Sequence, residues 1–125
     1  MEQAARVLVV DDEPNVLRSL VQYLTIEDFE VDTASHGEEA LEKVDSFCPE
    51  LILLDVMMPG MDGFEVLDAI KKKPGHEKTP VIMLTAKDQS SDVLKGYQSG
   101  ATSYLVKPFN LDELVETINQ TLERK

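Results

Sequence analysis

The sequence predicts an α/β fold in which helices cover both faces of a parallel β-sheet. Short apolar runs of four or five residues recur along the chain, and such runs are typical of strands buried on both faces. Between them lie longer segments whose apolar residues recur every three or four positions, as in amphipathic helices. Five strands alternate with five helices, and this alternation favours parallel strands joined by right-handed crossovers.

The strands are recognised by their apolar runs and by the polar, Pro or Gly residues that bound them. The central strand runs into Asp55, and a Pro-Gly break follows a few residues later. The second strand alternates apolar and polar residues, which is typical of an edge strand. The predicted strands are Arg6–Val10, Phe29–Ala34, Leu51–Leu54, Pro80–Leu84 and Ser103–Val106.

The helices are recognised by their start and stop signals and by one apolar face each. The first begins at Pro14, the second at Gly37 and the third after Asp62 as N-cap. The fourth ends at Gly100, and Asn110 opens the fifth with a capping-box-like motif. The five apolar faces consist of Leu17, Leu20, Val21 and Leu24; Ala40, Leu41, Val44 and Phe47; Phe64, Leu67 and Ile70; Val93, Leu94 and Tyr97; and Leu111, Leu114, Val115, Ile118 and Leu122.

Length and composition predict a single domain spanning residues 1–125, with no repeat, linker or low-complexity tract. The 24 acidic and 12 basic residues give a formal net charge of −12, which disfavours nucleic acid and anionic membrane as partners. No apolar stretch approaches the roughly 18 residues of a membrane span. Cys48 is the single cysteine, so an internal disulfide is excluded and a reducing compartment is favoured.

Five polar residues follow the predicted strands and are expected to meet, because parallel strands share one carboxyl edge. They are Asp11, Asp12, Asp55, Thr85 and Lys107. Carboxylates about 4 Å apart repel by roughly 1 kcal/mol in water and about 4 kcal/mol near a protein surface, so a proton or a cation must offset the charge. Carboxylate oxygens suit Mg²⁺, which shares its remaining positions with water and phosphate.

The same set of groups suits phosphoryl transfer. A carboxylate can attack phosphorus and form an aspartyl phosphate. A metal ion, a lysine and a hydroxyl can stabilise the charge on the transferring group. Considered alone, Asp55 is equally well interpreted as a turn residue that ends its strand, and only the accumulation of polar groups at this edge favours chemistry.

At these residues the sequence resembles the receiver domain of two-component response regulators. The resemblance runs from Val7 to Leu122, and its motifs are specific in combination. The matching pieces are Val9-Val10-Asp11-Asp12-Glu13, Leu53-Leu54-Asp55-Val56-Met57-Met58-Pro59-Gly60-Met61-Asp62-Gly63, Leu84-Thr85-Ala86 and Tyr104-Leu105-Val106-Lys107-Pro108-Phe109. The resemblance implies a flavodoxin-like (βα)5 three-layer sandwich whose five-stranded parallel sheet has the order 2-1-3-4-5.

The resemblance also implies roles at the acidic edge. Asp55 matches the phosphoacceptor, which takes a phosphoryl group from a histidine kinase or a histidine phosphotransfer protein. Asp12 matches the main ligand of Mg²⁺ (or Mn²⁺) and Asp11 its neighbour. Asp55 and the backbone carbonyl of Met57 complete the expected protein ligands.

Three further positions match the family's switch. Thr85 matches the hydroxyl that binds a phosphoryl oxygen, and Lys107 the basic contact to the same group. The Lys107-Pro108 bond is expected to be cis. Tyr104 matches the aromatic residue that turns inward when Thr85 moves.

The function implied is a phosphorylation-dependent signalling switch in the cytoplasm, not an enzyme acting on other substrates. Phosphorylation would change the surface of the fourth helix, fifth strand and fifth helix, and a downstream effector domain or protein would read it. The resemblance also allows a phosphorylation-dependent homodimer. It implies no direct binding of nucleic acid or membrane by this domain.

Three alternative functions have features against them in the sequence. A phosphatase with an aspartyl nucleophile often has a second Asp two residues after the first, where this chain has Met57. An interaction module with a vestigial pocket would show an eroded site, yet every matched position is intact. A flavin-binding protein of this fold would need a phosphate-binding loop after the first strand, where Asp11-Asp12-Glu13 would repel phosphate.

Overall fold

Five strands form one parallel sheet in the computed structural model, which describes residues 4–58, 60–86, 100–107 and 109–123. The strands are β1 (Arg6–Val10), β2 (Glu30–Ala34), β3 (Leu51–Asp55), β4 (Val81–Ala86) and β5 (Ser103–Lys107). Their order is β2-β1-β3-β4-β5, and each neighbouring pair is parallel. The predicted strand order is confirmed, and β2 lies at an edge as its alternating pattern indicates.

Four of the predicted helices fall within the described residues. They are α1 (Pro14–Ile26), α2 (Gly37–Phe47), α3 (Gly63–Lys71) and the C-terminal helix (Leu111–Glu123). The fourth predicted helix, marked by Val93, Leu94 and Tyr97, lies outside the described residues. None of the helices described has the length and apolar character needed to cross a membrane.

The sheet separates two apolar layers because successive side chains of a strand point to opposite faces. Leu8, Ile52 and Met83 pack with α2 and α3 on one face. The adjacent residues along the same strands, such as Val9 and Leu53, pack with α1 and the C-terminal helix on the other. Leu51 to Leu54 are fully buried, which confirms that the central apolar run faces a core on both sides.

Three strands extend slightly beyond their predicted ends, and the extensions contain site residues. Asp55 is the last residue of β3, Thr85 lies within β4, and Lys107 ends β5. Main-chain pairing continues through them, since Asp55 pairs with Leu84 and Thr85 with Val106. The polar groups are therefore held by sheet hydrogen bonds and do not sit in the loops that follow.

The start of α3 packs directly against the end of β3. Asp62 is its N-cap, as predicted, and a capping box joins Asp62 and Glu65. The Gly63 amide donates a hydrogen bond to the Val56 carbonyl at 3.0 Å. A Cβ atom at Gly63 would lie 2.4 Å from the Asp55 carbonyl oxygen, closer than any side chain tolerates. Only glycine lets the two backbones approach so closely.

A side-chain hydrogen bond joins α1 to the C-terminal helix, on the face of the sheet opposite to α2 and α3. The Tyr23 hydroxyl donates to the Asp112 carboxylate. This hydrogen bond, with smaller contributions from burial and nearby negative charge, raises the pKa of Tyr23 from its ordinary value of 10.0 to about 12. The two helices that cover this face are therefore linked by a polar contact as well as by apolar packing.

The Tyr23–Asp112 contact predicts a specific alkaline titration. Because the folded pKa is raised, the stabilisation it gives is complete below about pH 10 and is lost as pH rises towards about 12. We expect Asp112→Asn to return the Tyr23 pKa towards 10. Ultraviolet titration of the tyrosinate band measures the pKa of Tyr23, and the Tyr23→Phe variant identifies which transition belongs to this residue. An unchanged titration in Asp112→Asn would contradict the contact.

Candidate functional site

Three carboxylates meet at the carboxyl edge of the sheet, where β1 and β3 lie side by side. One oxygen from each of Asp11, Asp12 and Asp55 lies within 4.8 Å of the others. Asp11 and Asp55 are buried, at 1% and 5% exposure, whereas Asp12 is exposed. The Asp11 amide donates to the Ala34 carbonyl at 3.1 Å, and its carboxylate accepts from the Glu13 amide at 3.0 Å. The site thus has two fixed buried acids and one that faces solvent.

Lys107 reaches both buried acids from β5. Its Nζ lies 3.3 Å from an Asp11 oxygen and 3.2 Å from an Asp55 oxygen. Strand alternation explains the meeting, because Lys107 follows Leu105 by two residues and Asp55 follows Leu53 by two. Leu105 and Leu53 belong to the same apolar layer, on the side of α1. Lys107 and Asp55 therefore share one side of the sheet edge.

The charges at this site are unevenly matched. Burial raises the pKa of Asp55, the Asp11 charge raises it further, and Lys107 and a hydrogen bond from the Met57 main chain only partly offset both effects. Burial lowers the pKa of Lys107, but Asp55 and Asp11 outweigh it, so its pKa is raised and it stays charged. Among the residues that the structure describes, one lysine thus faces three carboxylates, and the remaining negative charge favours a cation.

The donor set fits a magnesium ion. Carboxylate oxygens are hard ligands, and one exposed carboxylate beside two buried ones leaves space for water or phosphate oxygens. Met57 follows the end of β3 by two residues, and its predicted role as a ligand through the backbone carbonyl stays a prediction. The side chains that would hold the ion are those of Asp11, Asp12 and Asp55.

Thr85 lies at the same edge, and Tyr104 lies nearer the start of β5, but both are on the other face of the sheet. Thr85 is buried at 1% exposure, one residue beyond Leu84, which pairs with Asp55. Tyr104 pairs with Met83 across β4 and β5 and packs half-buried against the layer beside α2 and α3. Thr85 follows Met83 by two residues, so Thr85 and Tyr104 point to one face. Pro108 lies outside the described residues, and so does the predicted cis peptide bond.

Sequence reasoning missed two features of this site. Lys107 bridges Asp11 and Asp55, a contact that the sequence does not predict, and its expected contact with a phosphoryl group stays a prediction. Gly63 belongs to a motif of the family, and its missing side chain in addition sets the distance between α3 and the end of β3. The Asp62-Gly63 pair just before an apolar helix was the available signal for it.

The comparisons with known proteins agree with this geometry. Residues 7–119 match the family described as the response regulator receiver domain. The chain is 43% identical over 119 residues to the transcriptional regulatory protein ResD of Bacillus subtilis (strain 168), a match that covers 95% of the chain and 48% of ResD. It is 42% identical over 118 residues to SrrA of Staphylococcus aureus (strain NCTC 8325 / PS 47), covering 94% of the chain and 48% of SrrA. The chain thus spans about half the length of these curated relatives.

Solved structures give the same result. A response regulator from Chloroflexus aurantiacus superposes with a TM-score of 0.92 at 34% identity, covering 97% of this chain and 99% of that one. The chemotaxis protein CheY4 of Vibrio cholerae superposes with a TM-score of 0.89 at 37% identity, covering 94% and 98%. From the sheet order, the acidic edge and these matches, the chain belongs to the response regulator receiver domain family of two-component systems.

Proposed function

We propose that this chain is a phosphorylation-dependent switch whose phosphoacceptor is Asp55. The observation that carries the proposal is the placement of the Asp55 carboxylate. It is buried at the end of β3, 3.2 Å from Lys107 and grouped with Asp11 and Asp12. A buried acid whose pKa is raised by its surroundings, beside a cation and a metal-type donor set, is typical of a reactive site.

The reaction is the transfer of a phosphoryl group from a phosphohistidine. An Asp55 oxygen attacks phosphorus, the bond from phosphorus to the donor imidazole breaks, and the imidazole nitrogen keeps the electron pair. Lys107 lies where it can leave its contact with Asp55 and neutralise the new phosphoryl oxygens. When bound, Mg²⁺ (or Mn²⁺) supplies positive charge for the same oxygens. The protein catalyses only this reaction at its own Asp55 and the later loss of the group.

The response passes through Thr85 and Tyr104. The new group adds negative charge and acceptor oxygens, and the Thr85 hydroxyl donates to one of them. Tyr104, on the same face of the sheet, then occupies the space that Thr85 leaves, and the equilibrium between two existing states shifts. The surface that changes comprises the fourth predicted helix, β5 and the C-terminal helix. Val106 of β5 is an apolar side chain 45% exposed, which supports a binding partner there.

The partners follow from this chemistry and from the relatives. The phosphodonor is a histidine kinase or a histidine phosphotransfer protein in the cytoplasm, and the reader is an effector domain or protein, or a second phosphorylated copy. ResD and SrrA are named as transcriptional regulatory proteins, which supports an output in transcription. Residues 1–125 act in this scheme as one receiver domain, which binds neither nucleic acid nor membrane itself.

Intact mass after incubation with acetyl phosphate tests the proposal. We expect the wild-type protein to gain one phosphoryl group with Mg²⁺ and none after chelation. Asp55→Asn should show no gain, because an amide cannot form the acyl phosphate. Asp62→Asn is the matched control, since it changes a neighbouring carboxylate but keeps an N-cap residue. A folded wild-type protein that gains no mass, or a gain that persists in Asp55→Asn, would overturn the assignment.

A further inference from the structure

A group of basic residues lies at the opposite end of the sheet from the carboxylates of Asp11, Asp12 and Asp55. The chain has a net charge of −12, yet four of its 12 Lys and Arg residues lie between Lys71 and Lys78. That segment includes the end of α3 and the connection to β4. The connection lies at the amino edge of the sheet, about 16 Å from the acidic site for a strand of five residues. This segment therefore carries four basic residues and one acid, Glu77, in a chain that is acidic as a whole.

A cleft opens at this amino edge, between the start of β1 and the segments that enter β3 and β4. We call it the basal cleft; it has a volume of about 490 Å³. Its lining includes Arg6, Pro49, Glu50, His76, Lys78 and Pro80. Pro49 and Pro80 are buried and provide an apolar floor, whereas Arg6 and Lys78 bring positive charge to the rim. This volume lies within the range of small-molecule sites, roughly 300 to 1,000 Å³.

Arg6 is held in place at the end of α2. Its Nε donates to the Phe47 carbonyl at 3.1 Å and to the Cys48 carbonyl at 3.0 Å. These carbonyls orient the guanidinium group without removing its positive charge. The carboxylate of Glu50, which also lines the cleft, accepts a hydrogen bond from the Arg6 main-chain amide at 3.1 Å.

Among the residues described, Arg6 and Lys78, the two cations at the rim of the basal cleft, lack the carboxylate partners that neighbouring lysines have. Lys72 pairs with Asp68 at 3.0 Å, and Lys73 pairs with Asp45 at 2.8 Å. Within the described part of the chain, neither the Arg6 guanidinium nor the Lys78 ammonium lies within 4.0 Å of a carboxylate oxygen. The cleft therefore places two cations without a carboxylate partner above an apolar floor, and Glu50 is the one acid among the described residues of its lining.

We propose that the basal cleft binds a small organic anion. Its carboxylate or phosphate group lies between Arg6 and Lys78, and its apolar body contacts Pro49 and Pro80. A guanidinium group can hold either oxyanion with two parallel hydrogen bonds, and a lysine adds a point charge. The site is distinct from Asp55 and does not depend on the phosphorylation that we propose there.

An NMR titration of the ¹⁵N-labelled chain with phenyl phosphate, in the absence of Mg²⁺, tests this inference. We expect saturable shifts of the Gly75, His76 and Thr79 amides at millimolar concentration, with the Val56 and Met57 amides unchanged. Inorganic phosphate lacks the apolar body and phenol lacks the charge, so both should bind at least about tenfold more weakly. Saturable shifts with benzoate would show that a carboxylate group is sufficient for binding, and their absence would show that the cleft requires a phosphate group.

The variants identify the groups responsible. Lys78→Gln should weaken phenyl phosphate about tenfold, as loss of a charge-assisted contact does. Arg6→Gln should do the same, and its spectrum shows whether the end of α2 is intact. Lys72→Gln is the matched control, because it removes an exposed lysine already paired with Asp68. Absence of saturable shifts at the cleft, or equal weakening by Lys72→Gln and Lys78→Gln, would overturn the proposal.

Discussion

We expect Lys107→Met to lower the free energy of unfolding by about 2 to 3 kcal/mol at neutral pH. Nζ of Lys107 lies 3.3 Å from Asp11 and 3.2 Å from Asp55, and both acids are buried. Removing one partner of a buried ion pair leaves the other charge uncompensated, and here two carboxylates lose the same cation. The Lys107 side chain is 32% exposed, so solvent screening places the effect below that of a fully buried pair.

The loss caused by Lys107→Met should depend on pH. Burial and the Asp11 charge already raise the pKa of Asp55, so the folded state binds its proton more tightly than the unfolded chain. Such a group favours folding at low pH, and this contribution is lost as pH rises through the folded pKa. Without Lys107 the pKa of Asp55 rises further. The difference in the free energy of unfolding between Lys107→Met and wild type should therefore shrink as acid protonates Asp55.

Urea denaturation of wild type and Lys107→Met, from neutral pH down to the acid pH at which Asp55 is protonated, measures the difference in the free energy of unfolding. Lys72→Met is the matched control, since Lys72 and its partner Asp68 are 75% and 60% exposed, and an exposed pair contributes little. Equal stability of Lys107→Met and wild type at neutral pH would show that the lysine does not compensate the two acids. A difference in the free energy of unfolding that does not vary with pH would show that Lys107 stabilises the fold through packing and not through its charge.

We expect Gly63→Ala to destabilise the fold by about 2 to 3 kcal/mol and to slow phosphorylation of Asp55 about tenfold. The added Cβ would lie 2.4 Å from the Asp55 carbonyl oxygen and 2.8 Å from the Val56 Cα. Both are backbone atoms, so no flexible side chain can move aside. The start of α3 and the end of β3 must separate, and the Asp55 carboxylate moves with its backbone.

Gly60→Ala is the control for Gly63→Ala because it separates two effects of glycine. Gly60 has a φ of +77° but no atom within 4 Å of a built Cβ, so alanine there meets only backbone strain of about 1 kcal/mol. Denaturation curves and the rate of mass gain with acetyl phosphate measure both variants. A Gly63→Ala protein as stable as Gly60→Ala, with wild-type phosphorylation, would contradict the close approach.

The sequence by itself determined the type, number and order of the elements that the structure describes. Periodicity is a local property, so Leu51–Leu54 indicated a buried strand and Leu114 with Ile118 a helix face. The parallel arrangement of these strands then predicts that Asp11, Asp55 and Lys107 meet at one edge of the sheet. Boundaries were less certain, because the hydrogen bonds that extend β4 through Thr85 come from β5, 21 residues along the chain.

Only the tertiary structure decided which groups touch and which are buried. Asp11 and Asp12 are adjacent in sequence, yet one is buried and the other exposed. The hydrogen bond from the Asp11 amide to the Ala34 carbonyl continues the pairing of β1 with β2, and adjacent side chains of such a backbone point in opposite directions. Lys107 joins acids 96 and 52 residues away, a contact that depends on strand register. The close approach at Gly63 and the basal cleft likewise arise between distant segments. Such contacts depend on three-dimensional distance, whereas sequence patterns report local backbone geometry.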